Sequence, residues 1–326
     1  MSICATVGRP IETSIDVCIH DGFVVFYRPH ANQDYLYHLL KSLESKWVTA
    51  GQTGSQTNLN TELIRRAQVL LPTDAEQAAV AAALSDADAL IDSLEQLLTK
   101  KRQIKQGAMQ ELLTGKLRLP GFSQPWRSVQ VGQLGAFLKG TGIKRDDAAS
   151  GDLPCIRYGE IYTAHTDSIR AFQSWISPAV ASTATKLQRG DLLFAGSGET
   201  KAEIGKCVAF LDDFVAYAGG DIVILRPTSG VQSMFMGYML NTPAVVCQKA
   251  SRGQGDAVVH VSATALGQVC VVLPEAVEQA AIAQVLSDMD AAITALETRL
   301  TKARALKQAM AQSLLTGRIR LIAPPA

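Results

Sequence analysis

The chain has 326 residues, a length that predicts two domains at roughly 150 residues each. With 47% hydrophobic and 19% charged residues, the composition is that of a globular protein and excludes long disorder, collagen and low-complexity polymers. The formal net charge of +1 excludes a globally basic surface, so any contact with nucleic acid has to come from local patches.

The sequence also predicts a cytoplasmic protein with no membrane partner. It contains no run of about 18 apolar residues of the kind that forms a transmembrane helix. Arg9, Glu12 and Asp16 interrupt the apolar stretch that a signal peptide needs. The six cysteines form no Cys-x-x-Cys pair, which favours free thiols in a reducing compartment.

Residues 1–71 resemble the second half of a longer domain later in the chain. The run GFVVFYRP at 22–29 matches GDIVILRP at 220–227. The long segment that precedes Leu193 in the second copy has no counterpart before Ser2, so the first copy is expected to be a half domain. We expect its apolar residues, such as Val24, Phe26 and Leu39, to lose neighbours.

Residues 72–119 predict one long helix. Thr73 and Glu76 form a potential capping box at its start, and Gly115 is typical of a left-handed helix stop. At 1.5 Å per residue, a helix of about 40 residues is roughly 60 Å long. Its apolar residues alternate between spacings of three and four, as in a coiled-coil seam. The seam residues are Leu84, Ile91, Leu94 and Leu98.

Residues 120–272 predict a complete α+β domain. Segments typical of β-strands alternate with turns, and the clearest are at 154–158, 191–194, 207–210 and 221–225. The whole chain is therefore expected to have an α+β fold in which globular domains are joined by long helices.

Residues 273–322 repeat the first helix, followed by a tail at 323–326. Residues 71–119 align without a gap on 273–321, with 28 of 49 positions identical, so the repeat is an internal duplication. Gly317 corresponds to Gly115. The seam residues of this copy are Leu286, Ile293, Leu296 and Leu300.

Charge predicts that the two helices pack antiparallel. In each copy the first half is acidic and the second half is basic. A parallel pair would place acid against acid, whereas an antiparallel pair places each acidic half on a basic half. Lys101, Lys105 and Lys307 interrupt the apolar seam.

No catalytic motif stands out, so we expect a chain without catalytic, cofactor-binding or metal-binding residues. The glycine-bearing run at 194–198 resembles an adenosylmethionine loop, but a lone Gly-x-Gly is weak evidence and the catalytic Asn/Asp-Pro-Pro-aromatic motif is absent. The histidines lack metal-ligand spacing, and no phosphate-binding Gly-x4-Gly-Lys-Ser/Thr loop is present.

The order of half domain, helix, whole domain and helix resembles the specificity subunit of type I restriction–modification systems. The resemblance lies in the doubled Leu-Pro-x3-Glu-Gln start and the doubled Leu-Leu-Thr-Gly-Lys/Arg-x-Arg-Leu end. It implies target-recognition domains at 1–71 (the C-terminal part of one) and 120–272. It also implies a non-catalytic subunit that reads a bipartite target in double-stranded DNA, or half of one.

The same resemblance implies protein partners. The antiparallel helices would act as a spacer and would dock modification subunits. Those subunits would carry adenine-specific methyltransferase activity and the bound adenosylmethionine, and restriction subunits would supply ATP-dependent cleavage.

Candidate DNA contacts lie in polar, glycine-bearing segments of the second domain, where Arg and Gln could read bases and Lys could hold phosphates. These candidates are Lys139, Lys144, Arg145, Ser197, Thr200, Lys201, Arg252 and Gln254. Arg157 and Tyr158, at a predicted strand end, belong either to the core edge or to the contact surface. The matching loop of the first domain offers Gln52, Ser55 and Gln56. The alternative interpretation of every segment is a solvated loop.

Two other functions remain open from the residues. The chain could be a truncated or regulatory variant that docks modification subunits without reading a complete site, and DNA binding by the assembled complex separates these hypotheses. A self-sufficient methyltransferase is disfavoured by the missing catalytic motif.

Overall fold

The computed structural model describes residues 1–4, 6–50, 59, 61–255 and 258–322. The chain divides into two compact units. The first unit contains Met1–Lys101 and Ile293–Ala326, and the second contains Arg102–Ala292. The division passes through both long helices, so each unit holds a part of each helix.

In the first unit, a short extended segment precedes the helices. Ser2 forms a β-bridge with Phe23, and Asn32 caps the first helix by accepting a hydrogen bond from the Tyr35 N–H at 2.9 Å. The helices in this part of the chain are α1 (Gln33–Ser42), α2 (Glu44–Ala50), α3 (Thr61–Arg66) and the long α4 (Asp74–Leu112), which continues into the second unit.

The second unit contains short strands arranged in several small sheets. The first six strands are β1 (Arg127–Gln130), β2 (Gly135–Lys139), β3 (Leu153–Ile156), β4 (Ser174–Ile176), β5 (Thr185–Lys186) and β6 (Leu192–Ala195). The remaining strands are β7 (Ser197–Gly198), β8 (Cys207–Ala209), β9 (Tyr217–Ala218), β10 (Ile222–Pro227), β11 (Val259–His260) and β12 (Cys270–Leu273).

Helices lie between these strands and end in the second long helix. They are α5 (Tyr158–Thr163), α6 (Pro178–Ala181), α7 (Ser233–Met239), α8 (Pro243–Ala250), α9 (Ala263–Gly267) and α10 (Ala276–Leu314). The α+β fold predicted from the sequence is confirmed. Both long helices have 39 residues, and Gly115 and Gly317 follow them with φ of +69° and +71°, the left-handed conformation expected of helix stops.

The central sheet of the second unit has the order β2-β10-β6-β8 and is antiparallel throughout. All four residues of β6 are buried, because apolar side chains cover both faces of this strand. A second sheet has the order β4-β3-β9-β5, with β3 and β9 parallel. The strands β1 and β12 pair with each other, as do β7 and β11.

The predicted strand at 154–158 is shorter than expected. Strand β3 ends at Ile156, and Tyr158 begins α5 instead of extending the strand. Glu160, at the third position of α5, favours this helix start, because its carboxylate accepts hydrogen bonds from the Arg157 N–H and from the Arg157 guanidinium.

The seam residues pack between the two long helices in each unit. In the first unit, the α4 residues Ile91, Leu94 and Leu98 pack in one cluster with Ile293 and Leu300, and Leu296 lies at its edge. The fully buried Leu84 packs with the end of α10, and in the second unit its repeat equivalent Leu286 packs with the end of α4.

Ion pairs confirm the antiparallel orientation. In the first unit Arg320 binds Glu76, and Lys307 binds Asp88. In the second unit the equivalent pairs, offset by 202 residues, have nitrogen–oxygen distances of 2.6 Å. They are Arg118 with Glu278 and Lys105 with Asp290.

Glu76 has a different role from the helix capping that the sequence predicted, because it forms an ion pair with the opposite helix end. Its carboxylate is buried and binds Arg320. The neighbouring Gln77 ties the start of α4 to the chain around it, since its side chain accepts from the Asn32 N–H and donates to the Pro72 carbonyl, both at 2.8 Å.

The expected loss of neighbours in the first domain is wrong for Leu39. This residue is 5% exposed, because α1 packs it in one cluster with Val80 and Leu84 of α4. Val24 and Phe26 are partly buried. The large exposed apolar side chains in this region include Ile11, Ile15, Val17, Ile19, Val25 and Tyr27.

The seam predicts different outcomes for two leucines three residues apart on α4. Leu94 is 4% exposed and Leu97 is 40% exposed. Leu94→Ala should lower the free energy of unfolding by about 2–4 kcal/mol, since it leaves a cavity between the helices. Leu97→Ala should cost less than about 1 kcal/mol. Denaturant unfolding measures both, and equal losses would contradict the seam.

Candidate nucleic-acid interface

A cleft of about 480 Å³ in the second unit gathers four of the predicted DNA contacts. Lys139 comes from the end of β2, Ser197 from β7, and Arg252 and Gln254 from the turn after α8. These segments are more than fifty residues apart from one another in sequence, and the fold brings them to one concave surface.

The cleft combines an apolar floor with polar groups. Phe137, Leu138 and Val223 contribute apolar surface from β2 and β10. Asp221 and His260 line the same cleft. A surface of this kind suits a flat, partly apolar ligand that carries hydrogen-bonding groups at its edge.

Ser197 is placed differently from the exposed loop that the sequence predicted. Ser197 and Gly198 form β7 and are buried. The Ser197 hydroxyl lies 2.9 Å from Nδ1 of His260, and its carbonyl accepts a hydrogen bond from the Tyr162 hydroxyl at 3.0 Å. Ser197 therefore links β7 to β11 and to α5 rather than projecting into solvent.

Backbone hydrogen bonds hold the turn that carries Gln254 in place. The Gln254 N–H donates to the His260 carbonyl at 2.9 Å, and the His260 N–H donates to the Gln254 carbonyl at 2.8 Å. Gly255 has φ of +110°, a conformation that strains other residues. The exposed Gln254 side chain is thus presented on a fixed backbone.

Arg252 lines the cleft and also stabilises the surrounding backbone. Its guanidinium donates to the Gln248 carbonyl at 2.7 Å and to the Gln268 carbonyl at 3.4 Å. The first of these bonds satisfies a carbonyl at the end of α8. Arg252 therefore holds α8 against the segment before β12.

Lys249 anchors α8, the helix that precedes the turn with Arg252 and Gln254. It is almost fully buried, and its ammonium donates to the Gly205 carbonyl at 2.5 Å, which connects α8 to the turn before β8. Burial lowers the pKa of Lys249 to about 8. Burial also raises the pKa of the neighbouring Cys207 thiol to about 12, so this cysteine is an inert core residue.

The other candidates of the second unit do not line this cleft. Lys144, Arg145 and Lys201 are exposed. The Thr200 hydroxyl donates to Glu203 at 3.0 Å. The Arg157 guanidinium is engaged by Glu160 and by Ser174, and Tyr158 is 40% exposed beside it.

The candidates of the first domain, Gln52, Ser55 and Gln56, lie outside the described residues. Next to them in sequence, the Leu59 N–H donates to the Ile3 carbonyl at 2.8 Å, and in the second unit the Val261 N–H donates to the Gly196 carbonyl at 2.9 Å.

Sequence reasoning missed three polar residues of the cleft, namely Asp221, His260 and Ser262. His260 has no motif around it, and Asp221 is marked only by its place before a strand. Asp221 has φ of +59°, and its carbonyl accepts from the Gly196 N–H at 2.7 Å. Such a backbone conformation is recognised only in the structure.

Within the described residues, no group of three or more histidine, cysteine, aspartate or glutamate side chains is placed to hold a metal ion. Among the same residues, no helix is both long enough and apolar enough to cross a membrane.

No protein-family model matches the sequence. Among solved structures, the chain resembles the S subunit of a type I restriction–modification system from M. genitalium, with a TM-score of 0.60 and 13% identity. That match covers 86% of this chain and 72% of that chain. A second similar chain comes from a structure described as the structural basis of complex assembly and conformational transition of the type I R-M system. Its TM-score is 0.52 and its identity 18%, over 89% of this chain and 72% of that chain. The resemblance found in the sequence is thus confirmed at the level of the fold.

The buried ammonium of Lys249 predicts a pH dependence of stability. Because its folded pKa of about 8 lies below the ordinary value of 10.5, the unfolded chain binds more protons between these values. The contribution of Lys249 to stability should therefore rise with pH across this window, by up to about 3 kcal/mol.

Lys249→Met should remove that contribution, so the difference in unfolding free energy between the wild type and the variant should change with pH between 8 and 10.5. Lys201→Met, the same substitution at an exposed position, is the control. A constant difference for Lys249→Met would contradict the assignment.

Proposed function

We propose that this chain is the DNA-sequence-recognition subunit of a type I restriction–modification complex in the cytoplasm, and that it is not itself an enzyme. The observation that carries the proposal is the cleft of the second unit, in a chain with the fold of an S subunit. Residues from separate segments meet there with the donors and acceptors that base edges require.

The division of labour among the candidates follows from their chemistry. The Gln254 amide can form a bidentate contact with adenine, whereas a lysine ammonium is a point charge suited to phosphates. Lys139 lies in the cleft, and Lys144, Arg145 and Lys201 are exposed in the same unit. These cationic side chains would supply local positive charge that the net charge of the whole chain does not provide.

Catalysis would belong to partner subunits. Modification subunits would bring the methyltransferase and its adenosylmethionine, and restriction subunits would add ATP-dependent cleavage. The long helices would dock these partners. One feature of α4 supports this role in the first unit, because Leu90 and Leu97 lie seven residues apart on one face and are exposed.

The proposal is tested with the chain assembled with the modification subunit of the same organism. Selection from a DNA duplex library with a randomised centre should enrich a defined motif, and the complex should methylate that motif. A complex that assembles but enriches no motif would support the alternative, an interaction protein that reads no site. Methyl transfer by the chain alone would contradict a non-catalytic role.

Two substitutions should weaken DNA binding in different ways. Gln254→Ala should cost about 1–3 kcal/mol of discrimination at one base pair, because it removes a base contact. Lys144→Ala should weaken all sequences alike and reduce the salt dependence of binding by about 0.9 in logarithmic slope. Competition binding at several salt concentrations measures both, and Lys46→Ala, exposed in the first unit, is the control. Unchanged affinity and preference in both variants would indicate solvated loops.

The exposed face of α4 predicts a separate effect on assembly. Leu97→Asp should weaken binding to the modification subunit, because it places a charge in an apolar contact, but it should leave the selected DNA motif unchanged. Val48→Asp introduces the same change at an exposed site of α2 and should leave assembly intact. Analytical ultracentrifugation of the mixed subunits measures the difference. Equal behaviour of the two variants would exclude this face as the docking surface.

A further inference from the structure

His260 is a polar side chain of the cleft that is held by both its backbone and its ring. Its backbone is bound in both directions to Gln254, and β11 pairs with β7, so that His260 lies opposite Ser197. The ring is fixed in addition by the 2.9 Å hydrogen bond between Nδ1 and the Ser197 hydroxyl. The side chain nevertheless remains exposed to the cleft.

The surroundings of Ser197 determine which ring nitrogen carries the proton. The serine is 3% exposed, and His260 Nδ1 is the acceptor that the described residues provide for its hydroxyl. A buried hydroxyl that donates to nothing is unfavourable, so the Ser197 hydroxyl donates and Nδ1 accepts. The neutral ring then carries its proton on Nε2, which is a donor toward the cleft.

The mixed charges of the cleft suit a base edge as the partner of this donor. Asp221 lines the same cleft as Lys139 and Arg252. The two cations would attract a phosphate and the carboxylate would repel it, whereas the major-groove edge of a base pair offers donors and acceptors side by side and can use both signs. Asp221 could accept from an exocyclic amino group while His260 donates to a neighbouring N7, O6 or O4 atom.

We infer that His260 reads one base pair of the target through its Nε2–H group, and that Ser197 is the positioning residue that sets this donor. The inference rests on the proposed function and adds to it a specificity-determining residue. A histidine held in this way discriminates, because the serine fixes both the plane of the ring and its tautomer.

The experiment uses the complex of the full chain with its modification subunit and a duplex library with a randomised centre. His260→Ala should enrich the wild-type motif at every position except one, where the preference should fall by roughly three- to tenfold. His30→Ala, the same substitution at an exposed histidine of the first unit, should enrich the wild-type motif unchanged.

Ser197→Ala tests the positioning role. It should reduce preference at the same base pair as His260→Ala, and it should have no further effect when His260 is already alanine. A serine that merely stabilises the fold would lower affinity in both backgrounds. Circular dichroism melting of each variant separates that outcome from the expected one.

The results distinguish the inference from the function beneath it. If the wild-type complex enriches no motif, the proposed function fails. If it enriches a motif that His260→Ala preserves with unchanged preference, the function stands and the inference is wrong. If His260→Ala instead lowers the affinity for all DNA sequences equally, the side chain contacts the sugar–phosphate backbone of DNA. That result would also overturn the inference.

Discussion

The buried ion pairs between the long helices are the constraint on which the rest of the structure depends. Glu76 and Glu278 sit in the first turns of α4 and α10 with side chains only 3% and 2% exposed. A buried carboxylate without a partner is strongly destabilising, and each one meets an arginine that follows the end of the other helix. That meeting is possible only when the helices are antiparallel and in one register.

Two of the three lysines that interrupt the apolar seam in the sequence have the same explanation. Lys105 and Lys307 are largely buried and reach Asp290 and Asp88 on the opposite helix, whereas Lys101 is exposed. Polar groups placed in a helix seam generally cost stability but specify register, because every other alignment leaves them unpaired. The pairs are copies of each other at an offset of 202 residues, so one duplicated sequence specifies both.

The two copies have diverged around these pairs. In the second unit the Tyr238 hydroxyl donates to Asp290 at 2.6 Å. The equivalent residue of the first unit is His38, which lies 3.1 Å from the Ser85 hydroxyl and has its pKa lowered by burial. The framework is thus kept while the side chains beside it change. The cleft is built in a similar way, because its exposed polar side chains extend from backbone that buried contacts hold in place. One such contact is the hydrogen bond from the Lys249 ammonium to the Gly205 carbonyl.

The sequence by itself determined the duplicated helices, their ends at Gly115 and Gly317, the apolar seam and the antiparallel orientation. Each of these features depends only on the residues of one helix or on the match between the two repeats. The periodicity sets the seam, the glycines end the helices, and the charge gradients set the orientation. It also indicated the segments that supply Lys139, Ser197, Arg252 and Gln254. Only the tertiary structure decided which of these meet in one cleft, because their proximity depends on strand pairings between distant segments. For the same reason, only the tertiary structure showed that Ser197 is buried, that Arg252 binds backbone carbonyls and that His260 lines the cleft. No sequence pattern marks any of these three features.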